Sequence, residues 1–266
     1  GESYPVDPPG VIPSNEGVAA TPPPSPVMSR SARLRAEDVR AVYQLAGECR
    51  ELGDDARVWH RHFFAGLGRL VGAAVVLGGE MGGFDGPRLH DLGTADWGWA
   101  DEFDPAGWEE AKRLFAADPS YSVLMNGYAA RVPVPDWVAV PRADVVPDPA
   151  WYRSGYYAAT HGRMGLDAVM LTFRPIPGRP GEASGVVLNR PAGAADFTAR
   201  ERAVVREAHA LAAGLAGGPL ARFADPAPSA LPPRPRAVLR CVLEGDTDRQ
   251  IAARLGISPH TVNQYV

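Results

Sequence analysis

Cysteine is almost missing from this chain. Only Cys49 and Cys241 occur, far apart and each inside an apolar helical pattern, which excludes a disulfide framework and a paired-cysteine zinc site and leaves two buried, reduced thiols as the reading. Long apolar runs are missing as well: nothing approaches the roughly eighteen consecutive apolar residues of a membrane span. The N-terminus does not show the basic-then-apolar order of a secretory signal, so neither a membrane partner nor export is expected, and the cytoplasm is the expected compartment. Catalytic signatures are lacking too. The glycine cluster at 78–86 has no Lys-Ser/Thr ending of a phosphate loop, no Gly-x-Ser-x-Gly elbow occurs, and His60 and His62, two residues apart, fall on different faces of a helix, which argues against a metal site. An enzyme is therefore not expected, and no cofactor or metal is implied.

What is present is a globular composition: 266 residues, 45% hydrophobic and 22% charged, enough to bury a core in one large or two smaller domains. The net charge of −4 argues against nucleic acid binding along the whole surface. From Leu231 to Val266, however, five arginines face three acidic residues, so a local contact with DNA is allowed.

Residues 1–29 are proline-rich, including Pro22-Pro23-Pro24, with little periodic apolar pattern, and are expected to be a disordered leader. Methionine is absent before Met28, which makes Met28 the expected true start. Leu34, Val39, Val42, Leu45 and Cys49 suit one amphipathic helix, and Trp59, Phe63, Leu67 and Leu70 a second. Ala73 to Leu77 reads as a buried strand entering a glycine-rich turn. Asp104-Pro105 and Asp148-Pro149 each mark a helix start, the first helix carrying Trp108, Leu114 and Phe115, the second Trp151, Tyr152 and Tyr156. Asp167–Phe173 and Ala183–Asn189 form an expected antiparallel hairpin, and the capping box Thr198/Glu201 opens a long helix reaching about Gly217. Gly217 to Ala230 is broken by prolines and glycines and reads as a linker.

This order gives an α+β domain over residues 30–217. With the Asp196-Phe197-Thr198-Ala199-Arg200-Glu201-Arg202 entry to the closing helix, it resembles a GAF-type sensor, an antiparallel sheet flanked by helices that binds small molecules; a PAS domain shares that sheet. Aromatic residues concentrate between 97 and 157, and Trp97, Trp99, Trp137, Trp151 and Tyr156 are the candidate ligand-binding residues, since amphipathic rings on loops over a sheet offer an apolar wall with a polar tip; core packing is the alternative use of the same rings. The pocket is expected between this segment and the strands at 73–77 and 169–173.

Residues 231–266 carry the sharper signal. Thr247 with Gln250 is a capping box, Gly256 ends that helix, and Ser258 with Pro259 starts the next. Ile251, Leu255, Ile257 and Val262 supply an apolar seam, small Ala252 permits a close crossing, and a preceding helix from about Arg236 to Glu244 completes a three-helix core. Arg234, Val238-Leu239, Glu244-Gly245, Ile251-Ala252, Leu255-Gly256-Ile257-Ser258 and Thr261-Val262 fall in the spacing of the LuxR-type DNA-binding domain, which the segment resembles. The resemblance implies that Asn263 and Gln264 face base edges, that Thr261 and Arg249 approach phosphates, that His260 shares this surface, and that Val262 and Val266 hold the helix to its core. Departures occur at Pro232 and Pro235, which stand where the family has a hydroxyl residue and a glutamate, so the opening helix is expected to start late. Tyr265 stands where His is common. The domain is expected to be C-terminally truncated within the recognition helix, so that this chain binds DNA weakly or not at all while an intact parent binds it.

The resulting expectation is a one-component transcription regulator in which a GAF-like sensor (30–217) and a linker (218–230) precede a LuxR-type helix-turn-helix (231–266). Its implied partners are double-stranded DNA, a second copy in a homodimer, a small-molecule effector and RNA polymerase. A sigma-factor-like promoter-recognition protein is one alternative, disfavoured by the hairpin pattern, and a sensor or dimerisation module without a small-molecule ligand is another. Asp54-Asp55 resembles a receiver's acidic cluster, but no strand–helix repeat surrounds it.

Overall fold

A computed structural model describes residues 33–86, 89–131, 138–225 and 232–265; the expected leader, Met28, Trp137 and Val266 lie outside the described residues. The order of elements is α1 (Ala36–Glu51), α2 (Ala56–Val71), β1 (Val75–Gly82), β2 (His90–Trp97), α3 (Ala106–Ala117), α4 (Val123–Arg131), β3 (Val140–Pro141), α5 (Asp148–Tyr152), α6 (Gly155–Ala159), α7 (His161–Met164), β4 (Leu166–Pro175), β5 (Ala183–Pro191), α8 (Ala199–Leu215), α9 (Pro233–Leu243), α10 (Asp248–Leu255) and α11 (Pro259–Asn263). The strands form one antiparallel sheet in the order β2-β1-β5-β4-β3.

Because side chains alternate across a strand, the sheet sends two sets of residues to two different covers. Val76, Ala95, Met170, Val186 and Leu188 face α1, α2 and α8 and join Leu45, Trp59, Phe64, Leu67, Val204 and Val205 in the largest buried cluster. Leu77, Leu171, Phe173 and Val187 point the other way, under the shorter helices α3 to α7.

Local chemistry explains where the long helices begin and end. Asp55, whose neighbour Asp54 made the pair look like a receiver's acidic cluster, is the N-cap of α2: its Oδ1 accepts from the amides of Arg57 at 2.9 Å and Val58 at 3.1 Å. Gly72 ends α2 at φ +63°, a conformation that costs residues with a Cβ more. Thr198 caps α8 in a capping box with Glu201, as the sequence predicts. Arg190 at the end of β5 ties these termini together, donating to Val71 O at 2.6 Å, Gly72 O at 3.2 Å and Glu201 Oε1 at 2.7 Å. A guanidinium over the last carbonyls of a helix satisfies orphan acceptors and opposes the negative end of the dipole.

Several elements differ from the sequence reading. β1 runs on through Gly78 and Gly79 to Gly82, past the turn expected after Leu77. β2 has no counterpart in the sequence reading; pairing with β1 from Val76↔Trp97 to Gly82↔His90 supplies the order that its own pattern does not show. The helix expected through Trp151 and Tyr156 is two short ones, because Ser154 adopts an extended conformation and caps α6 by accepting from Tyr157 N. α9 begins at Pro233, earlier than expected: prolines in a first turn remove amides that have no intrahelical partner anyway.

The segment 216–225 lies against the packed side of the α+β domain. Leu220 is fully buried, Ala221 O accepts from Trp59 Nε1 at 2.7 Å, and Ala221 N donates to Gly53 O at 2.7 Å. Arg222 is buried and pairs with Glu182 and, at 3.2 Å, with Asp225.

Candidate ligand cavity and nucleic-acid interface

Between the sheet and α3, α4, α6 and α7 lies a cavity of about 520 Å³, within the size range of small-molecule sites. Its floor is Leu77, Gly79, Met81, Leu171, Phe173, Gly185 and Val187; its roof includes Trp108, Phe115, Leu124, Met125, Tyr156, His161 and Met164. Gly79 and Gly185 stand opposite each other in register; the Phe173 ring lies over Gly185, where an added Cβ would meet it, and Gly79 is held at φ +153°, where an added Cβ would strike the Gly93 carbonyl.

Polar groups are few. Ser122 Oγ accepts from Met125 N at 3.2 Å, and the buried Thr160 hydroxyl donates to Tyr156 O at 2.6 Å while lying 3.2 Å from His161 Nδ1. Burial pushes the His161 imidazole down to about 4, overriding the opposite pull of Asp167 and Asn189, so it is neutral at physiological pH. Asp91, His90 and Lys112 lie among the lining residues too, with His90 and Asp91 exposed.

Of the candidate ligand-binding residues, Tyr156 is in the cavity wall. Trp151 is fully buried one layer behind, its ring 6.3 Å from Tyr156 and 5.1 Å from His161 and its Nε1 donating to Asp167 at 3.2 Å. Trp99 donates to Asp96 Oδ1 at 3.1 Å and packs on the Val75–Leu77 cluster. Trp97 faces the other side of the sheet, where its ring occupies the space a side chain at Gly68 would need. Trp108, one of the aromatics of the 97–157 segment that could line a pocket, and Phe115, read in the sequence as an apolar position of a helix, are wall residues, as is Thr94 of β2. For Phe115 the missed signal is positional: an aromatic seven residues after Trp108 on one helix face. Arg142 was missed altogether. It is buried beneath Trp151 and Tyr152 and pairs with Asp148 and Asp167, anchoring the helices behind the wall.

The C-terminal helices form a separate small core of Val238, Cys241, Ile251, Ala252 and Val262, with Leu255 and Ile257 packed on it. Thr247 N donates to Gln250 Oε1 at 2.8 Å at the start of α10, and Gly256 ends it at φ +64°. Ser258 Oγ then accepts from Thr261 N at 3.0 Å to open α11. Val262 is fully buried, whereas His260, Asn263 and Gln264 are exposed on α11 or just after it, Thr261 is half-buried, and Arg249 is exposed in the first turn of α10. Gln264 Nε2 lies 3.4 Å from His260 Nε2. Arg254 is engaged by Glu244 and Asp246. Two short helices joined by a tight turn, the second buried on one side and carrying amide and hydroxyl groups on the other, define a helix-turn-helix.

Residues 229–266 match the family GerE, bacterial regulatory proteins, luxR family. The chain thus carries a luxR-family helix-turn-helix at its C-terminal part, a match that supports a DNA-binding transcription regulator. No curated protein matches the chain. Among solved structures it is similar to Escherichia coli SdiA at 14% identity, covering 89% of this chain and 84% of that one with a TM-score of 0.35. It is also similar to SdiA in complex with octanoyl-rac-glycerol, at 15% identity, 86% and 85% coverage and a TM-score of 0.40. Among the described residues, no helix is long and apolar enough to cross a membrane.

Proposed function

We propose that this protein is a one-component transcription regulator whose residues 30–217 form a GAF/PAS-like sensor that binds a small molecule without chemical turnover, and whose residues 231–266 read DNA. It acts as a homodimer in the cytoplasm of a bacterium, with RNA polymerase as the downstream partner. The observation that carries this reading is the pairing of a luxR-family helix-turn-helix with a mainly apolar cavity of about 520 Å³. The cavity favours a ligand-binding sensor over a purely dimerising module, since a core packed for stability alone leaves few voids.

The coupling runs through β1 and β2. Met81 faces the cavity, whereas its neighbour Glu80 faces Arg222, and an added Cβ at Gly93 of β2 would strike Phe223. Ligand that favours one position of this hairpin therefore biases the segment 216–225 that precedes the DNA-reading helices, a shift in population between two presentations of those helices.

The test is DNA binding by the full-length protein against a randomised duplex pool. Asn263→Ala and Gln264→Ala are each expected to relax base preference at particular positions at a cost of about 1–3 kcal/mol. Arg249→Ala is expected to weaken binding to all sequences and flatten its salt dependence. An arginine variant that changes base preference beside amide variants that change nothing would refute this placement of the reading surface.

A further inference from the structure

Glu80 of β1 is a carboxyl on the packed face of the sheet, 1% exposed, and neither of its oxygens has a hydrogen-bond partner among the described residues. Burying an acceptor without a donor is costly, and burying it ionised costs more. The groups around it come mainly from the segment that leads toward α9: Arg222, Phe223 and Asp225, joined by Glu182 just before β5. That segment is docked at three points. Ala221 O accepts from Trp59 Nε1 at 2.7 Å, the Phe223 ring sits 4.7 Å from His60 and fills the space a Cβ at Gly93 would need, and Arg222 pairs with Glu182 and, at 3.2 Å, with Asp225.

These surroundings do not suit a third carboxylate. The Arg222 guanidinium is already shared between two, and Arg174 on β4 turns its own toward Arg206 O at 3.4 Å. The register partners of Glu80 are Gly93 on β2 and Ser184 on β5, whose hydroxyl lies 3.1 Å from His209 Nε2. His60 from α2 and His209 from α8 are held down at about 3 by burial, so neither brings a positive charge. Burial pushes the Glu80 carboxyl up to about 7; Asp225 and Glu182 push the same way, and Arg222 and the Phe223 amide oppose them. Undocking the segment would admit water and return the carboxyl toward its ordinary 4.5. The docked form therefore binds a proton that the undocked form does not, and docking weakens as pH rises through 7.

We propose that residues 221–225 are a proton-controlled latch, docked while Glu80 carries its proton and released as the carboxyl ionises, which loosens the connection to α9–α11. On the function proposed above, this gives DNA reading a second input, pH, at a place apart from the cavity.

Hydrogen exchange in the full chain, free of DNA, reads the latch directly. The reporters are the Ala221 amide, which donates to Gly53 O at 2.7 Å, and the Trp59 indole N–H on Ala221 O. With the intrinsic base-catalysed rate divided out, their protection in the wild type is expected to fall about tenfold between pH 6 and pH 8. Both should exchange faster than the amides of β5, the central strand. Glu80→Gln, which cannot ionise, is expected to match wild type within about twofold at pH 6 and to keep about tenfold more protection at pH 8. Protection that is equal at the two pH values, or that rises toward pH 8 because ionised Glu80 takes Arg222 for itself, would overturn the proposal. So would Ala221 exchanging only as slowly as β5, since the segment would then leave only with the whole domain. The wild-type profile decides the case even if the variant folds poorly. Because no DNA is present, a failure here leaves the reading of residues 231–266 untouched, and a failure of that reading leaves the latch.

Discussion

The two faces of the sheet are made by the same strands, residue by alternate residue, and they are built to different ends. One face is roofed by α1, α2 and α8, helices of 16, 16 and 17 residues, whose regular spacing lets Phe64, Leu67 and Val205 fill the space above Val76, Met170 and Leu188. The other is roofed by five helices, of which α5, α6 and α7 have 5, 5 and 4 residues, and whose floor has glycine at two opposed positions. Long helices present continuous ridges that interdigitate. Short ones change direction every turn and leave gaps, and here the gap is the cavity. The difference teaches that one sheet can carry a densely packed face and a hollow one, each set by the length of the helices that cover it.

The contrast is open to measurement. Phe64→Ala on the packed face is expected to cost about 3–5 kcal/mol in urea unfolding, and Met125→Ala on the hollow face about 1 kcal/mol, because part of the methionine surface already faces a void. Equal losses would erase the distinction between the faces. Glu80 sharpens it from the packed side. Burial pushes its carboxyl up to about 7, against the pull of the Arg222 guanidinium and the Phe223 amide. A carboxyl whose folded value lies above its unfolded one contributes stability below the unfolded value of 4.5 and loses it as pH rises through 7. Glu80→Gln, which keeps the shape and removes the charge, is accordingly expected to gain about 2 kcal/mol over wild type at pH 8 and close to nothing at pH 4.5. A variant that gains equally at both pH values would show that Glu80 is not protonated in the fold.

The histidines act in the opposite sense. Burial lowers His60 and His209 on the packed face to about 3 and His161 on the cavity side to about 4. Unfolded histidine therefore binds protons first, and stability falls with pH below about 6.5, by up to about 1.4 kcal/mol per pH unit for each group. His161→Gln should remove one such unit of slope between pH 6.5 and 4, and an unchanged slope would mean that His161 reaches solvent through the cavity. Smallest is Lys112→Met in the cavity wall. It should leave stability within about 0.5 kcal/mol, as exposed ion pairs do; a larger loss would show that the Lys112 ammonium over the Trp108 ring contributes to the fold.

How much of this was legible in the sequence follows the range of the interactions. α1, α2, α8 and the C-terminal helices were readable because their signals are local: a cap, a period, a glycine. The buried side of α11 was readable for the same reason, since Val262 sits at fixed spacing from Ser258 and Gly256. β2 was not, because His-Asp-Leu-Gly-Thr-Ala-Asp-Trp has no alternation of its own and becomes a strand only by pairing with β1. The cavity takes Trp108, Phe115 and Tyr156 from the aromatic-rich segment and the rest of its wall largely from residues 77–94 and 161–187. Trp97, Trp99 and Trp151 are chemically alike, yet the sheet, Asp96 and Asp167 send them to three environments. Which ring faces a void depends on contacts between elements tens of residues apart, which no local pattern contains.

The pinning of residues 216–225 has a consequence for reach. With Leu220, Ala221 and Arg222 fixed to the α+β domain, the covalent distance to α9 is counted from Asp225 rather than from Gly217, and is at most about 25 Å. So short a connection keeps α9 to α11 near that domain at an effective concentration on the order of millimolar. An ion pair as weak as Arg240 with Asp54, at 2.9 Å and largely exposed, is then populated through tethering rather than intrinsic strength. Dilution by a longer connection, such as a glycine-serine insertion after Asp225, would release it without touching either partner.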